Sequence, residues 1–192
     1  MSYIKERVKS LINSYLSPGS VAFGYYSVHC EMVTMKALEI ASLNKDKHLD
    51  LDIIYQSAML HDIGICQVHA PAIGCFGKFP YIAHGYLGRE ILEKEGFTHI
   101  APVCERHIGM GISKEEIIRL KMELPHRDMI PLSNEEKLVC LADKFYSKSS
   151  DKLEHEKSQE SIRKGLLKYG PSKVEKFDEL LKYFRVEKGW VL

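Results

Sequence analysis

Six side chains of this sequence form a chemically coherent set: His29, the doublet His61-Asp62, His84, His107 and Asp143. All are imidazoles or carboxylates, the donors that hold divalent zinc, iron or manganese. They are scattered along the chain, yet each lies in or beside a stretch whose apolar spacing reads as helix. Dispersed donors of this kind fit a bundle whose helices converge on one buried metal centre. Within the set, Asp62 is suited to bridge two ions, because a carboxylate offers two oxygens where an imidazole offers one free nitrogen. Asp143 lies in Val139-Cys-Leu-Ala-Asp-Lys-Phe145, and a carboxylate buried in so apolar a turn needs a cation.

The elements that must position these groups read as follows. Apolar residues Ile4, Val8, Leu11, Ile12 and Tyr15 predict a helix over 3–16, closed by Pro18-Gly19. A second over 26–43 places His29 on the stripe of Val33, Ala37 and Ile40. A third over 51–61 carries the doublet on its last turn, with Gly64 read as its C-cap. Residues 64–81, with Pro71, Gly74, Gly77 and Pro80, read as a loop long enough to be functional. Helices follow over 82–95, ended by Gly96 and with His84 in the first turn, and around 99–107. Ser113-Lys-Glu-Glu116 and Ser133-Asn-Glu-Glu136 are capping-box signatures, the second opening the helix of Asp143. Residues 147–152 read as a polar linker before two further helices over 160–169 and 172–184. The last carries Val174, Phe177, Leu181 and Phe184 as a packing stripe, for the core ahead of a partner. No alternating strand pattern stands out.

Composition bounds the rest. A chain of 192 residues suffices for one domain with a sizeable core. Lys+Arg and Asp+Glu balance at 27 against 26, so charge points to neither a nucleic acid nor a membrane surface as partner. The start of the chain reads as a polar amphipathic helix, not a signal peptide, and no apolar run approaches a membrane span, so the expected location is the cytoplasm. The five cysteines show neither Cys-x-x-Cys spacing nor an even count, and Cys30, Cys104 and Cys140 read as small buried hydrophobes. Gly109-Met-Gly111 and Gly77-Lys78 fall short of the dinucleotide and P-loop fingerprints.

On these residues the chain resembles the HD superfamily of metal-dependent phosphohydrolases, and within it the HDIG-containing members. The resemblance is carried by His61-Asp62-Ile63-Gly64, with His29 upstream, His84 in Ala83-His-Gly-Tyr86, His107 in Cys104-Glu-Arg-His-Ile-Gly109, and Asp143 in Leu141-Ala-Asp-Lys-Phe145. It implies an all-α fold, an HD-domain helical bundle forming a single domain over 1–192, with a core at about 20–148 and a C-terminal helical extension over 149–192. Single-metal members need the first His, the doublet and the last Asp. The two intervening His are what binuclear members add.

The resemblance therefore implies two divalent ions per chain, Fe or Mn ahead of Zn, Ni or Mg. One site comprises His29, His61, Asp62 and Asp143, and the other Asp62, His84 and His107. The chemistry implied is attack of a hydroxide bridging the two ions on a phosphoester or phosphoanhydride of a nucleotide or small phosphorylated metabolite. In this scheme Asp62 is the catalytic-centre residue that holds the ions together. Lys144 and Arg106, each beside a ligand in sequence, and Arg89 are candidates to bind the phosphate. Hydrolases of diadenosine tetraphosphate and cyclic-dinucleotide phosphodiesterases share the ligand order, but the Gly-Tyr-Pro signature of the latter is replaced here by Gly85-Tyr-Leu87. A diiron oxygenase and a non-catalytic nucleotide sensor stay open as alternatives, and the chain is compatible with a homodimer.

Overall fold

The computed structural model describes residues 2–148 and 153–186. Helix α1 (Ser2–Tyr15) is followed by α2 (Val21–Leu43), the longest helix among the described residues, and α3 (Leu51–Leu60). Then come α4 (His84–Lys94), α5 (Pro102–Arg106), α6 (Lys114–Arg119), α7 (Asn134–Lys144), α8 (Gln159–Leu167) and α9 (Pro171–Tyr183). The fold is all-α. The one sheet among the described residues is a hairpin of two-residue strands, β1 (His69–Ala70) antiparallel to β2 (Cys75–Phe76), inside the segment read as loop.

Local chemistry sets the helix starts. Asp50 caps α3 by accepting from the amides of Asp52 and Ile53, and Ser133 caps α7 through Glu136 N. The box at Ser113 is complete, with Glu116 returning to the Ser113 amide. That at Ser133 is half formed, because the Glu136 carboxylate instead takes the Leu132 amide and the Arg106 guanidinium. Helix α2 starts five residues before the expected position, at the Ser20 cap. Gly24 and the aromatic residues around it obscure this first turn in the sequence.

Helices α2, α3 and α7 meet along one apolar core that contains Tyr26, Cys30, Val33, Ile54, Leu60, Leu138 and Leu141. The hydroxyl of buried Tyr26 donates to Met59 O at 2.6 Å and pins α2 beside the end of α3. The extension joins this same core through Ile162, Leu166, Phe177, Leu181 and Phe184, so the α9 stripe packs inward. Buried polar contacts help to fasten it. Asn44 Nδ2 donates to Phe184 O at 2.7 Å, and buried Lys173 donates to Gly111 O at 2.6 Å while facing the Glu116 carboxylate at 2.8 Å. The expected linker falls largely at 149–152, outside the described residues, as does the end of the extension from 187 onward.

Gly64 does not act as the expected C-cap. Helix α3 ends at His61, and Gly64 lies one turn further on, in a 3-10 turn over Ile63–Gln67, without a left-handed backbone. Its missing side chain serves close approach instead. A Cβ there would stand 2.0 Å from His84 O and 2.5 Å from Gly88 N, so the turn after the doublet lies directly against α4. This contact brings His84 to the doublet.

Two stability predictions follow from these contacts. Gly64→Ala should cost about 3 kcal/mol in denaturant unfolding, because backbone must move on one side or the other. Partial burial pushes the Glu116 carboxyl up, but Lys173 and the Ser113 amide outweigh it and hold its pKa below 4.5. The stabilisation is therefore present in full above pH 4.5 and drains away as pH falls through the depressed folded value. Lys173→Met should destabilise the protein by about 1–3 kcal/mol at neutral pH, and the loss should shrink on acidification below that point.

Candidate metal centre

The six candidate ligands come from five places in the fold. His29 stands in the third turn of α2, His61 caps α3 and Asp62 follows it. His84 opens α4, His107 caps α5, and Asp143 lies in the last turn of α7. All six are buried. Asp62 is at the middle. Its Oδ2 lies 3.3 Å from His29 Nε2 and 3.3 Å from His61 Nε2. Its Oδ1 lies 3.3 Å from His84 Nε2 and 3.5 Å from His107 Nε2. Asp143 Oδ1 completes the first group at 3.1 Å from His29 Nε2 and 3.5 Å from His61 Nε2. One carboxylate thus presents each oxygen to a separate group of donors.

The imidazoles are oriented from behind. His61 Nδ1 lies 2.7 Å from Ala58 O, His84 Nδ1 2.6 Å from Tyr81 O, and His107 Nδ1 3.3 Å from Val103 O. Donation from Nδ1–H to these carbonyls leaves the Nε2 lone pair free, the tautomer a metal ligand requires. The Nε2 atoms of His29 and His61 and Asp62 Oδ1 are buried without a hydrogen-bond partner among the described residues, while Asp62 Oδ2 meets the Lys148 ammonium at 2.6 Å. Buried polar atoms are nearly always partnered. Here the unpartnered ones are metal-donor atoms spaced to share an ion, so the residues fit one or two divalent cations.

Electrostatics sharpen this picture. Burial alone would raise Asp62, but Lys148 and His61 beside it hold its carboxyl well below the usual range. Asp143 is held down in the same way, chiefly by Lys144 and His29 against its own burial. Burial drives His84 down to about 3 and also lowers His107, keeping both neutral and able to donate a lone pair. Burial would lower His61 too, but the Asp62 charge raises it well above the ordinary value. Cys30 shares a group with His61 and Asp62. Burial pushes its thiol up, so it remains protonated and a poor ligand. Cys104 and Cys140 are also buried, their thiols facing Leu60 O and His107 O.

The basic residues divide differently from the sequence reading. Lys144 reaches Asp143 Oδ2 at 2.6 Å and lines a cavity of about 970 Å³ beside His29 and Asp143. Arg106 and Arg89 do not line it. Arg106 Nη1 is bound by the Glu136 carboxylate at 2.9 and 3.0 Å, and Arg89 pairs with Glu93 and with buried Glu105. Sequence adjacency misleads here: Arg106 next to His107 points about 100° away from it around the helix. The reading missed Lys148, whose Nζ lies 2.6 Å from Asp62 Oδ2, and Lys157 on the same cavity wall. The Ser-Lys-Ser-Ser setting of Lys148 reads as solvated linker, and its only signal was a position five residues after Asp143.

The chain belongs to the HD domain family, whose model matches residues 26–147, a span that contains all six donors. It is 40% identical over 118 residues to an uncharacterised protein of Methanocaldococcus jannaschii, covering 60% of this chain and 62% of that protein. It is 29% identical over 161 residues to a tRNA (cytidine(56)-2'-O)-methyltransferase of Thermoplasma volcanium, covering 83% of this chain and 43% of that one. The enzyme of the same name from Picrophilus torridus is 33% identical over 120 residues, 62% of this chain and 30% of its own. The chain thus spans less than two thirds of each of these relatives. No solved structure matches it significantly. No helix among the described residues is long and apolar enough to cross a membrane.

If the two oxygens of Asp62 serve two ions, the double variant His84→Ala/His107→Ala should retain one ion and lose the other. Elemental analysis should then read about half the wild-type metal content.

Proposed function

We propose that this protein is a metal-dependent phosphohydrolase that cleaves a phosphoester or phosphoanhydride of a nucleotide or small phosphorylated metabolite. The observation that carries the reading is the split of Asp62, one oxygen toward His29, His61 and Asp143 and the other toward His84 and His107. A pair of divalent ions in these groups, Fe or Mn ahead of Zn, Ni or Mg, would supply Lewis-acid charge and lower the pKa of coordinated water. Membership of the HD family supports metal-dependent hydrolysis as the class of chemistry.

The chain's own groups supply the rest. Asp62 sets the spacing of the two donor groups and needs no role as a base. The backbone carbonyls behind His61, His84 and His107 keep those rings from rotating, so the donors are arranged before any ligand arrives. Lys144 and Lys148 stand where a phosphate entering from the cavity meets the carboxylates, and their charge can offset that of its non-bridging oxygens. The half-buried position of Lys157 adds a third cation on the same path. Arg106 and Arg89 are assigned instead to positioning, since each ties the α4–α5 region through carboxylates.

The test is a panel of nucleotides, sugar phosphates, phosphodiesters and short RNA offered to protein loaded with Mn or Fe, alongside its elemental analysis. Hydrolysis should require metal, and Asp62→Ala or His61→Ala should lose both bound metal and at least about a hundredfold in rate. Full activity in Asp62→Ala would overturn the reading, and so would oxygen-dependent turnover with a mixed-valence diiron signal.

A further inference from the structure

The cavity that opens onto the metal centre is strongly one-sided in charge. Lys144, Lys148, Lys157, Lys164 and Lys168 all line it, and Asp143 is the one carboxylate among its described lining residues. This concentration stands out in a chain whose net charge is +1. The lysines also run in order. Lys144 and Lys148 are at the inner end, on Asp143 and Asp62, and Lys157 lies further along the cavity wall. Lys164 on α8 and Lys168 at its C-cap are about one helical turn apart, in the C-terminal extension, with Tyr169 beside them. Side chains four apart on a helix are about 5–6 Å apart at Cβ, a spacing that lets two ammonium groups grip neighbouring phosphates of one condensed chain.

Like charges gathered around a cavity repel; burial, with lesser contributions from Lys144 and Lys148, depresses Lys157 against the opposing pull of Asp143. A ligand carrying several negative charges relieves that repulsion. We propose that the C-terminal extension reads phosphate number, with Lys157, Lys164 and Lys168 holding the second and third phosphates of a small polyphosphorylated substrate whose reacting phosphate lies at the metal centre. The proposal rests on the hydrolase reading, since it takes the molecule bound in this cavity to be the one cleaved. It adds which residues select the substrate. A small molecule is favoured over a polynucleotide because the cavity, at about 970 Å³, is of small-ligand size. Tyr169, largely exposed beside Lys168, offers a ring face to an attached base.

The test uses the full chain, in chelator, titrated by calorimetry with inorganic orthophosphate, pyrophosphate and tripolyphosphate. Wild-type affinity should climb about tenfold with each added phosphate, and K164Q/K168Q should abolish the last step. Both positions are exposed, so the variant should fold as wild type does. A charge-matched K9Q/K94Q control, on exposed positions of α1 and α4 outside the cavity, should keep the full climb. A flat wild-type series, an unchanged series in K164Q/K168Q, or tighter binding of a single-stranded oligoribonucleotide than of tripolyphosphate would each overturn the proposal. The two readings fail separately. A climb with no phosphoester or phosphoanhydride hydrolysed by the metal-loaded protein supports the polyphosphate site but removes the hydrolase reading and with it the claim that the bound molecule is a substrate. Hydrolysis without the climb overturns the site and leaves the hydrolase reading standing.

Discussion

A carboxylate wholly removed from solvent, Asp62, governs the arrangement of this molecule. A buried carboxylate is tolerated only with opposite charge or strong donors around it. Here four imidazoles and the Lys148 ammonium, drawn from α2, α3, α4, α5 and the end of α7, turn toward its two oxygens. Each of those elements buries apolar surface behind its donor, so the hydrophobic core and the polar centre are built from the same helices. The close seat of Gly64 against α4 belongs to the same constraint, because without it His84 would stand off from the doublet.

Much of the bundle was legible in the sequence, and the reason is physical. Apolar stripes at helical spacing and Ser or Asp caps leave little choice of element, so each of the helices α1 to α9 falls on a segment read as helix, with the start of α2 displaced by five residues. The six donors were legible for the opposite reason, since imidazole and carboxylate groups within apolar stretches are anomalies that demand a partner. What sequence could not supply was direction. Arg106 adjoins a ligand and faces Glu136, whereas Lys148, set among serines, faces the central carboxylate. Gly64 shows the same limit, as a glycine after a helix reads as a cap whether its purpose is a left-handed turn or close packing.

The extension and the centre form one functional surface. Phe177 and Phe184 lock α9 into the core, and α8 is thereby held over the mouth of the cavity that leads to Asp143. Residues remote in sequence from the doublet therefore form part of the wall of the cavity beside it. The six donors all lie within the span matched by the family, while the outer lysines of the cavity wall lie beyond it.

Three of the histidine rings are aimed by main-chain carbonyls, those of Ala58, Tyr81 and Val103, and not by neighbouring side chains. Every residue type carries such a carbonyl, so exchange of the residues at those positions leaves the aiming groups in place. The electronic character of the centre is correspondingly hard to tune by drift at a single neighbour. Adjustment has to come through a shift of helical register or through the lysines around Asp62 and Asp143, which puts evolutionary freedom in the charge that surrounds the donors and conservatism in their orientation.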